Sequence, residues 1–275
     1  MKFILDFFIL ITGVSAASGL YYQDDRLFIV SDNSNYLYEY QLPSQNLEKH
    51  LLLDMEVQNE QVQKKIKLDL EAMTFYEDSF WLFPSGSASN RTQSFRFFPQ
   101  DNTPPNKSDL SEFYTNLQEQ LPISAADFNI EGSLYYQDTL FLFNRGNGPN
   151  AKNGIIKIDL SLGAEPTFHP IALPHLNGQI SGFTDAVLVD DKIYFLAAAE
   201  KGGSSYHDGA IGGSQLGIID IATLKIAQIT TISDNQKFEG ITLHRSTEKE
   251  LTFLLCEDPD NNENKSTIYQ LRLSK

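Results

Sequence analysis

Cysteine is almost absent. Cys256 stands alone in 275 residues, so no disulfide can form within the chain, and its place at the end of an apolar run reads as a buried thiol. Long hydrophobic runs are missing too. No segment approaches the roughly 20 apolar residues that a bilayer-spanning helix needs, which leaves no membrane expectation. Positive charge is scarce: 21 Lys and Arg stand against 36 Asp and Glu, a formal charge of −15 that would repel a phosphate backbone and so excludes nucleic acid as a partner. Two catalytic signatures are lacking. The chain holds no Gly-x-Ser-x-Gly nucleophile elbow, and its Gly-rich stretch from Gly202 to Gly213 does not run from a strand into a helix with a lysine at the offset a P-loop requires.

What is present is a repeat. A hydrophobic fraction of 41% and an aromatic fraction of 12% are enough for a substantial core, and both are parcelled into short runs bounded by Gly, Asn, Asp and Ser, the pattern of an all-β protein. The stretch Lys67 to Ser87 reads as two strands around a tight polar turn, entered through a carboxylate, and the same shape returns from Ser18, Glu131, Thr184 and Phe238. The first residues of the five inner strands, Ser18, Glu71, Glu131, Asp185 and Glu239, are spaced 53, 60, 54 and 54 apart. The 36 residues after Glu239 and the 17 before Ser18 together make one more period of 53.

Third strand-like runs follow in every unit (Tyr36–Leu42, Gln93–Phe98, Gly154–Leu160, Leu216–Ile221, Ile268–Leu273), and fourth runs at Lys49–Leu53, Thr167–Leu173 and Lys225–Ile232. The fifth unit lacks residues for a fourth strand, which Lys2–Thr12 can supply. The expectation is a five-bladed β-propeller, six-bladed as the alternative, forming one domain over residues 1–275 with its ring closed by the N-terminal strand. Lys107–Leu121, with apolar residues at helical spacing between prolines, is expected to be a short helical insertion.

Met1–Ala17 also resembles a signal peptide, with Val14-Ser15-Ala16 as a cleavage site, but Asp6 interrupts its apolar run and its removal would leave the fifth unit a strand short. A cytoplasmic monomer is expected, an exported one if residues 1–16 are a signal peptide.

In a propeller the entries of the inner strands converge on one mouth of the central channel. Ser18, Glu71, Glu131, Asp185 and Glu239 are therefore placed together, with Asp32-Asn33, Ser85-Gly86-Ser87, Asn144-Arg145, Glu200 and Glu257-Asp258 around them. Two unit charges about 6 Å apart repel by roughly 3 kcal/mol at an effective dielectric near 20. Four carboxylates there need protonation, a cationic side chain or a bound cation, and an oxygen-only donor set suits Ca²⁺. The competing reading has each acid accept backbone N–H groups of the next blade. Arg145 could clamp a small anionic ligand or substrate, or pair with a ring acid. His207 could act as general acid or base, or be a solvated loop residue. His50, His169, His175 and His244 have no partner pattern.

The ring of Ser and acids resembles that of the calcium-activated nucleotidase (apyrase) propellers, which implies a central Ca²⁺ held by Ser and Glu side chains. Across nearly the whole chain, Ser15-Ala16-Ala17-Ser18-Gly19-Leu20, Asp69-Leu70-Glu71-Ala72, Phe128-Asn129-Ile130-Glu131-Gly132, Phe143-Asn144-Arg145-Gly146-Asn147-Gly148, Gly182-Phe183-Thr184-Asp185-Ala186, Ala197-Ala198-Ala199-Glu200 and Lys237-Phe238-Glu239-Gly240 resemble an uncharacterised bacterial propeller family, a domain of unknown function similar to phytase-like propellers. That resemblance implies that Ser15–Leu20 lies inside the folded domain. Two functions follow as expectations: a Ca²⁺-dependent hydrolase of phosphoesters or phosphoanhydrides, with Arg145 and His207 as its catalytic groups, or a non-catalytic binding propeller with structural Ca²⁺.

Overall fold

The computed structural model describes residues 1–55, 59–101, 103–161, 163–201, 210–261 and 263–275. In chain order they form β1 (Phe3–Thr12), β2 (Ala17–Gln23), β3 (Arg26–Ser31), β4 (Tyr36–Gln41), β5 (Asn46–Leu51), β6 (Leu70–Tyr76), β7 (Ser79–Pro84), β8 (Gln93–Phe97) and β9 (Asn106–Asp109). After helix α1 (Ser111–Gln120) come β10 (Ile130–Tyr136), β11 (Thr139–Asn144), β12 (Gly154–Asp159), β13 (Thr167–Pro170), β14 (Ser181–Val189), β15 (Lys192–Lys201), β16 (Ala210–Asp220), β17 (Lys225–Ser233), β18 (Phe238–Ser246), β19 (Glu250–Glu257) and β20 (Lys265–Ser274).

These strands make five antiparallel four-stranded sheets. Four of them, β2–β5, β6–β9, β10–β13 and β14–β17, run in sequence from an inner to an outer strand. The fifth takes β18, β19 and β20 from the C-terminal end and completes itself with β1, in the register Phe3↔Leu273 to Thr12↔Lys265. The inner strands β2, β6, β10, β14 and β18 pack side by side around the channel. This is a five-bladed β-propeller, and the six-bladed alternative falls away because the described strands form five sheets.

Local sequence explains the hairpins. Asp24-Asp25, Glu77-Asp78 and Gln137-Asp138 each hold two successive positive φ angles, between 46° and 60°, the two-residue turn whose twist matches its flanking strands. The core is not one body but five clusters, each spanning two neighbouring blades. Leu20, Ile29 and Tyr38 of the first blade meet Leu254 and Ile268 of the last, so the ring is closed by packing as well as by the β1–β20 ladder.

The expected insertion is a helix, though it starts at Ser111 instead of Lys107. Asn106–Asp109, which overlaps the start of the segment read as helical, is the fourth strand of the second blade. All four of its side chains are exposed, so no apolar pattern marks it. Tyr114 anchors α1 by packing on Phe128 at 5.0 Å and donating its hydroxyl to the Pro84 carbonyl at 2.8 Å.

Candidate functional site

Every inner strand enters through a register shift against its partner, so one residue per blade is unpaired, and in four blades it lines the channel mouth. In four blades that residue is Ser18, Glu71, Glu131 or Glu239. In the remaining blade the shift falls between Phe183 and Asp185, which makes Thr184 the equivalent residue and puts Asp185 one position further on. Asp185 thus aligns with Gly19, Ala72, Gly132 and Gly240, where neighbouring inner strands crowd: a Cβ on Gly132 would lie 3.1 Å from the Asp185 Cα. Its carboxylate accepts the amides of Ala186 and of Ile241 in the next blade, both at 2.8 Å. It lines the cavity at the other end of the channel, with Tyr21, Phe75 and Tyr135. Among the proposed metal ligands Asp185 alone behaves as the backbone-binding reading expects. Thr184, its neighbour, donates to the Phe238 carbonyl at 2.7 Å.

The mouth itself is a cavity of about 60 Å³ whose lining is wholly polar. Ser18, Glu71, Glu131 and Glu239 are there as expected, joined by Asp32, Asp69, Glu200 and Asp258. Five cations line it too: Lys64, Lys67, Arg91, Arg145 and Lys237. Seven carboxylates against five cations leave a formal charge of −2. Four of these cations, Lys64, Lys67, Arg91 and Lys237, form the feature that the sequence reading missed. Lys67 and Lys237 occupy alternate positions with the acids, in Lys67-x-Asp69-x-Glu71 and Lys237-x-Glu239, a period-two pattern that points side chains to one side and could have revealed them.

The cations order the acids into two networks. On one side Lys67 pairs with Asp32 and, at 2.6 Å, with Asp69, which also takes Arg91 at 2.9 Å and the Ser85 hydroxyl. Asp69 can enter this cluster because it sits at φ +59°, in the left-handed region that Asp tolerates. On the other side Arg145 donates to Glu131 at 3.2 Å and to Glu200 at 2.6 Å, while Lys237 reaches Glu239 at 2.9 Å and Glu200 and Asp260 at 3.0 Å. Arg145, read either as an anion clamp or as the partner of a ring acid, is placed in the second arrangement. Gly182 makes its position possible: a Cβ there would fall 2.0 Å from the Arg145 carbonyl oxygen.

Three acids remain incompletely satisfied. Glu71 takes no hydrogen bond or ion pair among the described residues. Asp32 Oδ1 and Glu239 Oε2 are buried without a donor. One oxygen from each of Asp32, Asp69 and Glu71 lies within 4.8 Å of the others. Burial, reinforced by the charges of Glu131, Asp69 and Asp32, pushes the Glu71 carboxyl well above its ordinary range. Burial likewise lifts Glu131 to about 7 against the pull of Arg145, and Asp258 to about 8 against that of Lys237. Glu200 is half-buried, and Arg145 and Lys237 together hold it down to about 2 against that burial. Mixed protonation is the way an over-acidic pocket relaxes when nothing else neutralises it.

His207 lies outside the described residues. His50 pairs with Glu39 far from the mouth, and His244 packs edge-on against Tyr22 at 4.7 Å. Cys256 is buried as expected, with its thiol pushed well up by burial.

A family model described as a family of unknown function (DUF6929) matches residues 13–273. No curated protein matches the sequence. Among solved structures, the PQQ-bound aldose sugar dehydrogenase of Streptomyces coelicolor is similar over 98% of both chains, with a TM-score of 0.57 at 9% identity. The Malassezia sympodialis allergen Mala s 1 is similar over 95% of both chains (TM-score 0.55, 7% identity). The glutaminyl cyclase of Myxococcus xanthus is similar over 97% of this chain and 96% of its own (TM-score 0.52, 11% identity). At these identities the likeness is one of fold. It gives no specific kinship to phytase-like or nucleotidase propellers.

Proposed function

The chain belongs to this family of unknown function (DUF6929), and we propose that its channel mouth is a binding site for a divalent cation, Ca²⁺ before others, in a propeller that works as a ligand-binding module. The observation that carries this reading is the set of incompletely satisfied carboxylates: Asp32 Oδ1 and Glu239 Oε2, buried without a donor, and the half-buried Glu71, in a pocket whose formal charges are two more negative than positive. A dication would balance that difference. The available donors, carboxylates and the Ser18 hydroxyl, are all oxygens, the set Ca²⁺ prefers, with waters completing a flexible shell of 6–8. Asp32 and Glu71, whose oxygens lie within 4.8 Å of each other and of Asp69, are the residues that would hold the ion, while Arg145 and Lys237 keep Glu131, Glu200 and Glu239 in place.

The pairing of Arg145 favours ion binding over phosphoester hydrolysis. The cavity of about 60 Å³ has room for an ion with several waters, at roughly 10–15 Å³ of such space per water. An anionic substrate would have to draw Arg145 away from Glu131 and Glu200. A ligand that reaches the ion from outside has the adjoining cavity of about 270 Å³ between the third and fourth blades, which shares Arg145, Asn147 and Glu200 with the mouth.

The test is thermal melting of chelator-treated protein with and without 1 mM Ca²⁺. A dissociation constant near 10 μM corresponds to about 2.7 kcal/mol of stabilisation, or roughly 5 °C in a chain of this length. Glu71→Gln should remove the shift while leaving the protein folded. An unchanged midpoint in the wild-type protein sinks the proposal. Turnover of nucleotides, phosphoesters or lactones that is lost in Arg145→Ala would restore the hydrolase reading.

A further inference from the structure

We propose that Glu39, Glu48 and His50 form a second metal site, on the flank of the first blade, for a first-row divalent transition ion such as Zn²⁺. The three residues come from β4 and β5, whose register sets Glu39 directly opposite Glu48, with His50 two positions along β5 on the same face. One donor atom from each lies within 4.8 Å of the others. Directly opposed like charges destabilise a strand pair unless a cation lies between them. Arg26 meets only Glu39 Oε1, at 3.3 Å, on the side away from the oxygen that faces the histidine.

The first two ligands are already at chelating separation. His50 Nε2 and Glu39 Oε2 stand 3.0 Å apart. Ligands bound about 2.0–2.1 Å from a tetrahedral Zn²⁺ lie roughly 3.3 Å apart, so the ion could replace the shared proton with a shift of a few tenths of an ångström. Supporting contacts hold the set in place as outer-sphere partners do in metal sites. The His50 ring packs on Phe97 of the second blade at 4.7 Å, and Glu48 Oε1 accepts from Gln41 and Asn46, both at 3.2 Å. A cavity of about 570 Å³ between the two blades opens onto the three side chains, which leaves room for water or an exogenous ligand in the remaining coordination positions.

The donor set separates this site from the mouth. An imidazole nitrogen with two carboxylates suits Zn²⁺, Co²⁺, Mn²⁺ or Fe²⁺, whereas Ca²⁺ takes oxygens. Three protein ligands with open positions is the arrangement of zinc sites that exchange water or substrate, and closed structural sites use four.

Chelator-treated full-length protein should be titrated with Co²⁺ followed by visible absorption, and with Zn²⁺ followed by calorimetry. The expected result is one saturable equivalent with the d–d bands of a four- or five-coordinate ion, displaced by Zn²⁺ and unaffected by excess Ca²⁺. His50→Gln and, separately, Glu48→Gln should weaken Zn²⁺ by more than the roughly 10–100-fold that loss of an outer-sphere contact costs. Glu48 is exposed, so its variant keeps the test valid if the His50 substitution unfolds the blade. Unsaturable binding, displacement by Ca²⁺, or an unchanged affinity in both variants would each overturn the assignment.

Discussion

Replacing Lys237 by Met tests whether the mouth is an electrostatic network or only a polar surface. The Lys237 ammonium lies 2.9 Å from Glu239 and 3.0 Å from Glu200 and Asp260, and the residue is 5% exposed. Met keeps the length of the side chain and removes its charge. Glu239 would then retain only Arg145, at 3.9 Å, with its second oxygen already lacking a donor. Removing one partner of a buried ion pair costs about 3–5 kcal/mol, because the charge left behind is neither solvated nor paired. Unfolding entropy for 275 residues is about 0.6 kcal/mol/K, so the loss corresponds to a melting point lower by roughly 5–9 °C. Two companion measurements make the result specific. Adding Glu239→Gln removes the stranded charge and should recover most of the loss, a coupling that double-mutant analysis reads directly. Calcium should stabilise Lys237→Met more than the wild-type protein, since the cavity then has one more unbalanced negative charge. A loss below about 1 kcal/mol, or a smaller calcium response in the variant, would refute the charge accounting on which the proposed cation rests.

The ion-free protein should lose stability as pH rises from about 4 to 8. Burial raises the folded pKa of Glu131 to about 7, above its unfolded value near 4.5, so the native state holds the extra proton and forfeits an order of 3 kcal/mol as that proton leaves; Asp258, at about 8, adds in the same sense. Glu200, held at about 2, acts oppositely and only below about pH 4. Urea unfolding at pH 5 and pH 8 checks the sign, and calcium, which needs the ionised acids, should bind more tightly at pH 8; a flat ion-free profile counts against the shifts. Gly182→Ala puts a methyl 2.0 Å from the Arg145 carbonyl oxygen and 2.8 Å from its Cγ, so it should cost about 2–3 kcal/mol in chemical denaturation and displace Arg145. A neutral outcome would mean that the fourth blade yields freely at the mouth.

The fold was legible because a propeller writes itself as a period, and the period survives wherever apolar strands alternate with turns. It disappears where a strand carries no burial. Asn106–Asp109 pairs with β8 without burying a side chain, and its exposed Asn-Lys-Ser-Asp sequence reads as loop. The acids of the mouth were legible for the same reason as the blades, since they mark the start of each inner strand. Their neutralisation was not. Arg91 reaches Asp69 from a loop after β7, and nothing in its local sequence distinguishes it from a surface arginine. Apart from the alternation in Lys67-x-Asp69-x-Glu71 and Lys237-x-Glu239, the charge pairing leaves no periodic trace.

The displaced blade makes the same point about chemistry. Alignment by residue type puts Asp185 in the acid ring, because an acid is what the other blades would suggest. Backbone geometry puts Thr184 there, and gives Asp185 the position that Gly or Ala holds elsewhere, against the next inner strand. A carboxylate fits that crowded place only because two amides, Ala186 and Ile241, receive it, and one of them belongs to the neighbouring blade. The repeat therefore conserves where the chain bulges and leaves the identity of the bulged side chain free. The same backbone device presents a serine, a threonine and three glutamates in the five blades, and the mouth's formal excess of two negative charges is a property of the acids and cations that line it, which the fold does not dictate.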